Sequence, residues 1–402
     1  MTLPDRGGPL AGIRVLEIAK VWAGPYAGKL LACLGAEVIK VESLSNLDEM
    51  RAYGGVDINS APYFRSLNHE VQSVQLDMKS PEGLSYLRQM IAKSDILMDN
   101  LRPGAMERLG LGYDAVRAIR PDIIQLSIKM YGCDGPLGYQ TGYAPCFAAL
   151  GGLTCLVGHE EETPTGMNIR YGDSTVGASA AFAAVAALHH RASAGEGQFI
   201  DVSAVETMSS MVGDSLFAFG LTGIESRSDG NFHPEMAPHG CYPCRDGRWI
   251  SLAVADDTEW RMLCTVLGAS ALHADPRFGD LAARNANRRE LDAALGTVTV
   301  VHDAEPLAQA FRAAGIPAFV SQSSLDLVSD GFLWESGVFR EVRDGHGEPR
   351  PIVGPGWHMT PDEATIERGA PLLGEHNDYV YRELLGLSEG ELADLIERKI
   401  VE

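Results

Sequence analysis

Along the first half of the chain, short runs of branched apolar residues alternate with segments of helical periodicity. Residues 12–18 (GIRVLEI) predict a buried strand. Ala23-Gly24-Pro25 follows, and then a helix from Tyr26 to Leu34, with Leu30, Leu31 and Leu34 on one face. Gly35 ends that helix, and Glu37–Glu42 (EVIKVE) reads as the next strand. The rhythm continues with a helix over 81–93, a strand over 95–98, a helix over 113–119 and a strand over 123–129. A long helix of small residues, 174–191, and a strand at 198–202 complete it. Such alternation predicts an α/β protein: a large doubly wound, Rossmann-like domain with a parallel sheet.

The texture changes near residue 225. Residues 226–243 hold Gly, Asn, His and Pro and read as loop. A strand over 249–254 and helices near 257–267, 287–297 and 304–313 follow, which predicts a smaller α+β domain over 225–326. Residues 1–224 form the first part of the large domain, and 327–402 return to it, ending in an acidic amphipathic helix near 388–399.

Composition narrows the function. With 33 Lys and Arg against 54 Asp and Glu, the net charge is −21. A surface this acidic repels nucleic acid and anionic membranes. No uncharged apolar run reaches the ~20 residues that span a bilayer, and the first twelve residues lack a signal-peptide pattern. Seven scattered cysteines fit a reduced, cytoplasmic setting. Cys241-Tyr-Pro-Cys244 is a lone pair, read as turn residues before a strand rather than as a metal site.

Three glycine-containing loops follow predicted strands: Val21–Gly28, Asn100–Gly104 and Tyr131–Gly135. Loops at the carboxyl ends of parallel strands collect ligands, and helix N-termini there favour anions. None of them is a dinucleotide or P-loop fingerprint, and Pro25 removes a donor. The sharpest local feature is Arg170-Tyr-Gly-Asp173-Ser-Thr, a carboxylate at the head of the long helix. Spacing alone leaves two readings: Asp173 caps the helix, or it is a nucleophile beside glycine N–H groups.

Several segments together carry a resemblance. The stretch PLAGIRVLEIAKVWAGPYAGKLLACLGAEVIKVE, then LDMKSPEG, NLRPGAMERLG, GDSTVG, GEGQFIDVS and APLLGEHND, in this order, resemble the family III CoA-transferases. The resemblance implies a CoA-transferase acting through an aspartyl-CoA thioester on Asp173. Coenzyme A and its acyl esters are then substrates, a carboxylic acid is the acceptor, and neither metal nor prosthetic group is needed. It implies that Val21, Trp22, Ala23, Gly24, Asn100, Leu101, Arg108, Lys129 and Tyr131 form the CoA seat. Ser43 and His69–Ser73 stand where relatives carry positive charge near the CoA phosphates. The segment MNIRYGDSTVG resembles the succinyl-CoA-dependent branch that acts on dicarboxylic or arylsuccinic acids. On that reading Arg170 pairs with a distal carboxylate, while Trp22, Tyr139 and Tyr143 line an acyl pocket. An interlocked homodimer is implied as well.

Two alternatives stay open at this stage. Racemases of 2-methylacyl-CoA share the fold but need a histidine base, and residues 138–143 (GYQTGY) hold none. The chain is otherwise one subunit of a heteromeric transferase. His376, in Glu-His-Asn, reads as a structural turn residue.

Overall fold

A computed structural model describes residues 6–160, 162–164 and 170–402. The chain divides into two compact units. The first comprises Met1–Thr154, Gly166–Ser226 and Phe332–Glu402; the second comprises Cys155–Thr165 and Arg227–Gly331.

The first unit runs β1 (Arg14–Ile18), α1 (Ala23–Cys33), β2 (Glu37–Glu42), α2 (Pro62–Leu67), β3 (Gln72–Gln75), α3 (Pro81–Ala92), β4 (Ile96–Asp99), α4 (Ala105–Arg108), α5 (Tyr113–Ile119), β5 (Ile124–Lys129), α6 (Ala144–Leu150), α7 (Tyr171–Ala194), β6 (Phe199–Ser203), α8 (Ala204–Ser210) and α9 (Gly213–Thr222). The six strands form one sheet in the order β3-β2-β1-β4-β5-β6. Every neighbouring pair is parallel. Successive side chains of a strand point to opposite faces, and here both faces are covered. Val15, Val38, Ile96 and Met98 pack under α1 and α7, whereas Leu16, Ile39 and Leu97 pack under α3, α5 and the C-terminal helix Glu389–Glu397. Full burial of each such side chain contributes roughly 1.5–3 kcal/mol, while the buried charges that interrupt these runs, Glu17, Lys40 and Glu42, are held in ion pairs.

Strand order reverses between β1 and β4. The loops leaving those two strands therefore diverge and open a crevice at their carboxyl ends. The helix expected from Tyr26 already starts at Ala23, because Gly24 and Pro25 fit its first turn.

The second unit has a three-stranded antiparallel sheet, β7 (His239–Pro243), β8 (Trp249–Ala253) and β9 (Ala318–Val320), in that order. β7 lies inside the stretch read as loop. Its Gly and Pro content masks a strand that only pairing with β8 creates. Cys241 consequently sits within a strand rather than in a turn before one, and Cys244 is buried just beyond it. All seven cysteines are unbridged. Residues 332–402 contribute a hairpin of β10 (Phe339–Arg343) and β11 (Pro349–Val353) and return to the sheet at β3. There the His376 N–H donates to Ser73 O at 2.9 Å and its Nδ1 accepts the Ser73 N–H at 3.3 Å. Burial pulls this imidazole down to about 4, so it stays neutral and keeps that acceptor role. No helix among the described residues is long and apolar enough to cross a membrane.

Candidate active site

The turn from β1 into α1 is held in an unusual shape. Val21 has φ = 67°, the left-handed region, which a β-branched residue rarely adopts. Asn100, just past β4, grips the preceding residue: its Oδ1 accepts the Lys20 N–H at 2.8 Å and its Nδ2 donates to Lys20 O at 2.6 Å. Asn100 thus ties the two diverging loops together. The first N–H groups of a helix lack intrahelical partners. In α1 those of Ala23 and Gly24 remain as donors, since Pro25 has none.

Helix α7 packs closely on α1. A Cβ on Gly177 would lie 2.5 Å from Ala23 O, so only glycine permits this approach. Gly172 similarly leaves room for Phe147, whose ring edge is 2.8 Å from where its Cβ would stand. Across the junction, Trp22 Nε1 donates to Ser174 Oγ at 3.0 Å. Its neighbour Asp173 is the third residue of α7 and makes no cap; Arg170 occupies the capping position without a side-chain bond. The helix-capping reading therefore fails on register. Asp173 lines a cleft of about 430 Å³ together with Val21, Ala23, Asn100, Lys129 and Tyr143. Burial pushes its carboxyl up to about 6, and the charge of Arg170 works in the opposite direction. No histidine is among the described residues lining this cleft.

Arg170 is clamped between rings. Its guanidinium lies 4.1 Å from the centre of Tyr63 and 4.7 Å from that of Trp22, and the two rings meet edge to face at 6.3 Å. Stacking fixes the plane of the guanidinium; Arg170 is not among the residues that line the Asp173 cleft.

A second pocket, about 450 Å³, adjoins the cleft and shares Val21, Glu49, Asn100, Leu101 and Arg102 with it. Lys20, Lys79, Arg102 and Arg108 surround it. Lys20 is partly engaged, donating to Asn46 Oδ1 at 2.6 Å and Leu47 O at 2.9 Å. Arg108 is exposed, with one long bond of 3.4 Å to Pro103 O. This is a local concentration of positive charge on a strongly negative chain.

Of the residues expected in the site, Val21, Ala23, Asn100, Leu101, Lys129 and Asp173 meet in the cleft. Arg108 belongs to the adjoining pocket. Trp22 and Gly24 stand behind the lining; a Cβ on Gly24 would fall 2.4 Å from that of Ala19. Lys129 is buried and paired with Asp99, which also accepts from Ser127. Tyr131 and Tyr139 line neither pocket, and Tyr139 is exposed. Met167–Ile169, part of the segment used to infer the substrate branch, lie outside the described residues. Ser43 and residues 69–73 are buried, and none of them lines either pocket. Sequence reading missed Arg102, Lys20 and Lys79. Arg102 stands inside the recognised Asn100–Gly104 loop; Lys20 and Lys79 carry no local signal, because only the fold brings β1, β3 and β4 termini together.

Comparison with known proteins follows the geometry. Residues 10–377 match the pattern of CoA-transferase family III. The chain is 31% identical over 397 residues to a succinyl-CoA–D-citramalate CoA-transferase of Chloroflexus aurantiacus, covering 98% of each chain. It is 32% identical over 394 residues to a succinate–glutarate CoA-transferase of Agrobacterium fabrum, covering 95% of this chain and 97% of that one. A crystal structure of a CAIB/BAIF family protein from Brucella suis superposes with a TM-score of 0.88 at 30% identity, over 94% of this chain and all of that one.

Proposed function

The chain belongs to CoA-transferase family III and is an enzyme of that class; from that premise we propose that it moves CoA from succinyl-CoA to a second dicarboxylic acid through covalent work by Asp173. The observation that carries this reading is a half-buried carboxylate, with its pKa raised to about 6, in a cleft entered by the N-terminus of α1.

The Asp173 carboxylate attacks the thioester carbonyl, and CoA thiolate leaves; an aspartyl–succinyl anhydride remains. The thiolate attacks the aspartyl carbonyl, giving aspartyl-CoA thioester and free succinate. The acceptor carboxylate then displaces the thiolate to form a second anhydride. Thiolate attack on the acceptor's acyl carbon releases the new acyl-CoA and restores Asp173. Each tetrahedral oxyanion needs a donor, and the Ala23 N–H, at the head of α1 in the cleft lining, supplies one. Anhydrides hydrolyse, so the cleft must exclude water. Trapping during turnover with succinyl-CoA tests the scheme. Hydroxylamine should convert Asp173 to a hydroxamate detectable by mass spectrometry; turnover with an unmodified Asp173 would overturn it.

The ring-clamped Arg170 is the selectivity element, binding the free carboxylate of a dicarboxylate by paired hydrogen bonds. Arg170→Ala should lower discrimination between succinate and butyrate by about tenfold, as expected for one charged hydrogen-bonding contact. It should also move the acidic limb of the pH–rate profile upward, because Arg170 helps hold Asp173 down. Unchanged discrimination would remove this role.

Apolar exposure supports the proposed homodimer. Helix α9 buries no residue, and Phe217 and Leu221 are 78% and 87% exposed, as is Phe182 of α7 at 77%. A homodimer covers such faces. Light scattering should return twice the chain mass; a stable monomer would contradict the assignment.

A further inference from the structure

Beneath the β1–α1 turn lies a set of buried charges that the scheme above leaves unused. Lys40 of β2 is fully buried. Its Nζ donates to Glu17 Oε1 at 2.8 Å and to Ala19 O at 2.7 Å, and it lies 3.0 Å from Asp48 Oδ2. Arg51 pairs with Glu42 at 2.8 Å, and Glu42 Oε1 accepts the Asp48 N–H at 3.2 Å. Asp48 is therefore held by a hydrogen bond at its backbone N–H and by the charge of Lys40 at Oδ2, an oxygen without a hydrogen-bond partner among the described residues. Its other oxygen, Oδ1, accepts the N–H of Val21 at 2.9 Å and that of Met50 at 3.0 Å.

Lys40 and Lys20 both feel the charge of Asp48, but charge alone does not fix where its oxygens sit. Lys40 with Glu17 and Arg51 with Glu42 are already matched pairs. Burying a further carboxylate costs free energy unless it does something the pairs do not. Besides capping the short helix Glu49–Arg51 through the Met50 N–H, it bonds Val21, the one residue of the β1–α1 turn in the left-handed region. Strain of this kind persists only where the surroundings over-determine it. Val21 and Ala23 both line the cleft that holds Asp173.

We infer that Asp48 is a positioning residue for the transfer: paired with Lys40, it holds Val21 in its left-handed turn and so sets where the Ala23 N–H stands against the reacting carbonyl. The inference rests on the Asp173 reading and extends it. Asparagine cannot take over. One side of Asp48 faces N–H groups and the other an ammonium, all donors, so either orientation of an amide leaves a donor facing a donor. Glycine at position 21, by contrast, adopts the turn without strain and needs no such grip.

The test compares Asp48→Asn, Asp48→Ala, Val21→Gly and Asp48→Ala/Val21→Gly in the full chain, with succinyl-CoA as donor and glutarate as acceptor. Asp48→Asn should lose about thirtyfold in kcat, a large share of what one misplaced oxyanion donor costs, with KM for succinyl-CoA within threefold of wild type. Asp48→Ala should behave likewise, and adding Val21→Gly should recover at least fivefold. A general loss of stability would not give that split or that rescue. Should Asp48→Ala not fold, Asp48→Asn decides alone: a kcat within threefold of wild type overturns the inference. So does a rise in KM with unaltered kcat, or a folded double variant no faster than Asp48→Ala. Hydroxylamine labelling of wild-type Asp173, run in parallel, separates the two readings. A wild type that turns over unlabelled removes the covalent scheme itself, and the inference with it.

Discussion

An Asp173→Asn enzyme should exchange CoA between carboxylic acids at least ~10⁴-fold more slowly than wild type, in line with the loss of a covalent nucleophile elsewhere. The amide matches the carboxylate in size, so the α1–α7 junction and the Trp22–Ser174 bond survive. Normal-speed exchange would end the mechanistic reading. The same side chain predicts the pH dependence. Only the ionised carboxylate attacks, so kcat/KM should fall tenfold per pH unit below about 6. Stability carries the opposite sign. The folded-state pKa lies above its ordinary value of 3.8, so folding favours the protonated form. The ionised group therefore destabilises the protein fully above about pH 6, by up to ~3 kcal/mol, and the penalty fades as pH falls towards the unfolded value. Asparagine escapes it. The variant should melt several degrees higher than wild type near pH 7.5, with the gap closing by about pH 4. An equal melting temperature at both pH values would show that burial does not strain this carboxylate.

On the reading that the adjoining pocket seats the CoA phosphates, removing both of its exposed arginines, Arg102→Ala/Arg108→Ala, should raise KM for succinyl-CoA about a hundredfold, as expected for two charge-assisted contacts that screening at an exposed site reduces to about 1.4 kcal/mol each. The net charge of −21 makes these contacts matter: a polyanionic substrate approaches against the protein's own field. Lys20 is held by Asn46 and Leu47 and compensates little. Because phosphate binding is separate from the chemistry, kcat should stay within threefold. The wild-type KM should rise steeply with ionic strength, and the double variant's much less. A KM that does not move would place the CoA phosphates elsewhere.

Much of this architecture was legible in the chain. The strand runs over residues 12–18 and Glu37–Glu42 are rich in branched apolar residues because a parallel sheet covered by helices leaves neither face to water, and the charges within them, Glu17, Lys40 and Glu42, are buried in ion pairs. Turn chemistry marked the ends of helices such as Ala23–Cys33, closed by Gly35. The ordered set of segments from Pro9 to Asp378 pointed to the family, and with it to Asp173, although spacing alone could not decide between capping and catalysis. The strand at His239–Pro243 was illegible because its residues have poor strand propensity, and pairing with Trp249–Ala253 overrides it.

By itself, then, the sequence determined the parallel α/β sheet, the glycine loops at its strand ends and the acidic residue at the head of α7. These depend on periodicity and local backbone preference, which a linear pattern records. Only the tertiary structure decided that Asp173 misses the capping register and titrates near 6, that Arg170 is clamped by Trp22 and Tyr63, and that Lys20, Lys79, Arg102 and Arg108 surround one pocket. Burial, stacking and charge clustering arise between residues far apart in the chain, and no local pattern encodes which of them will meet.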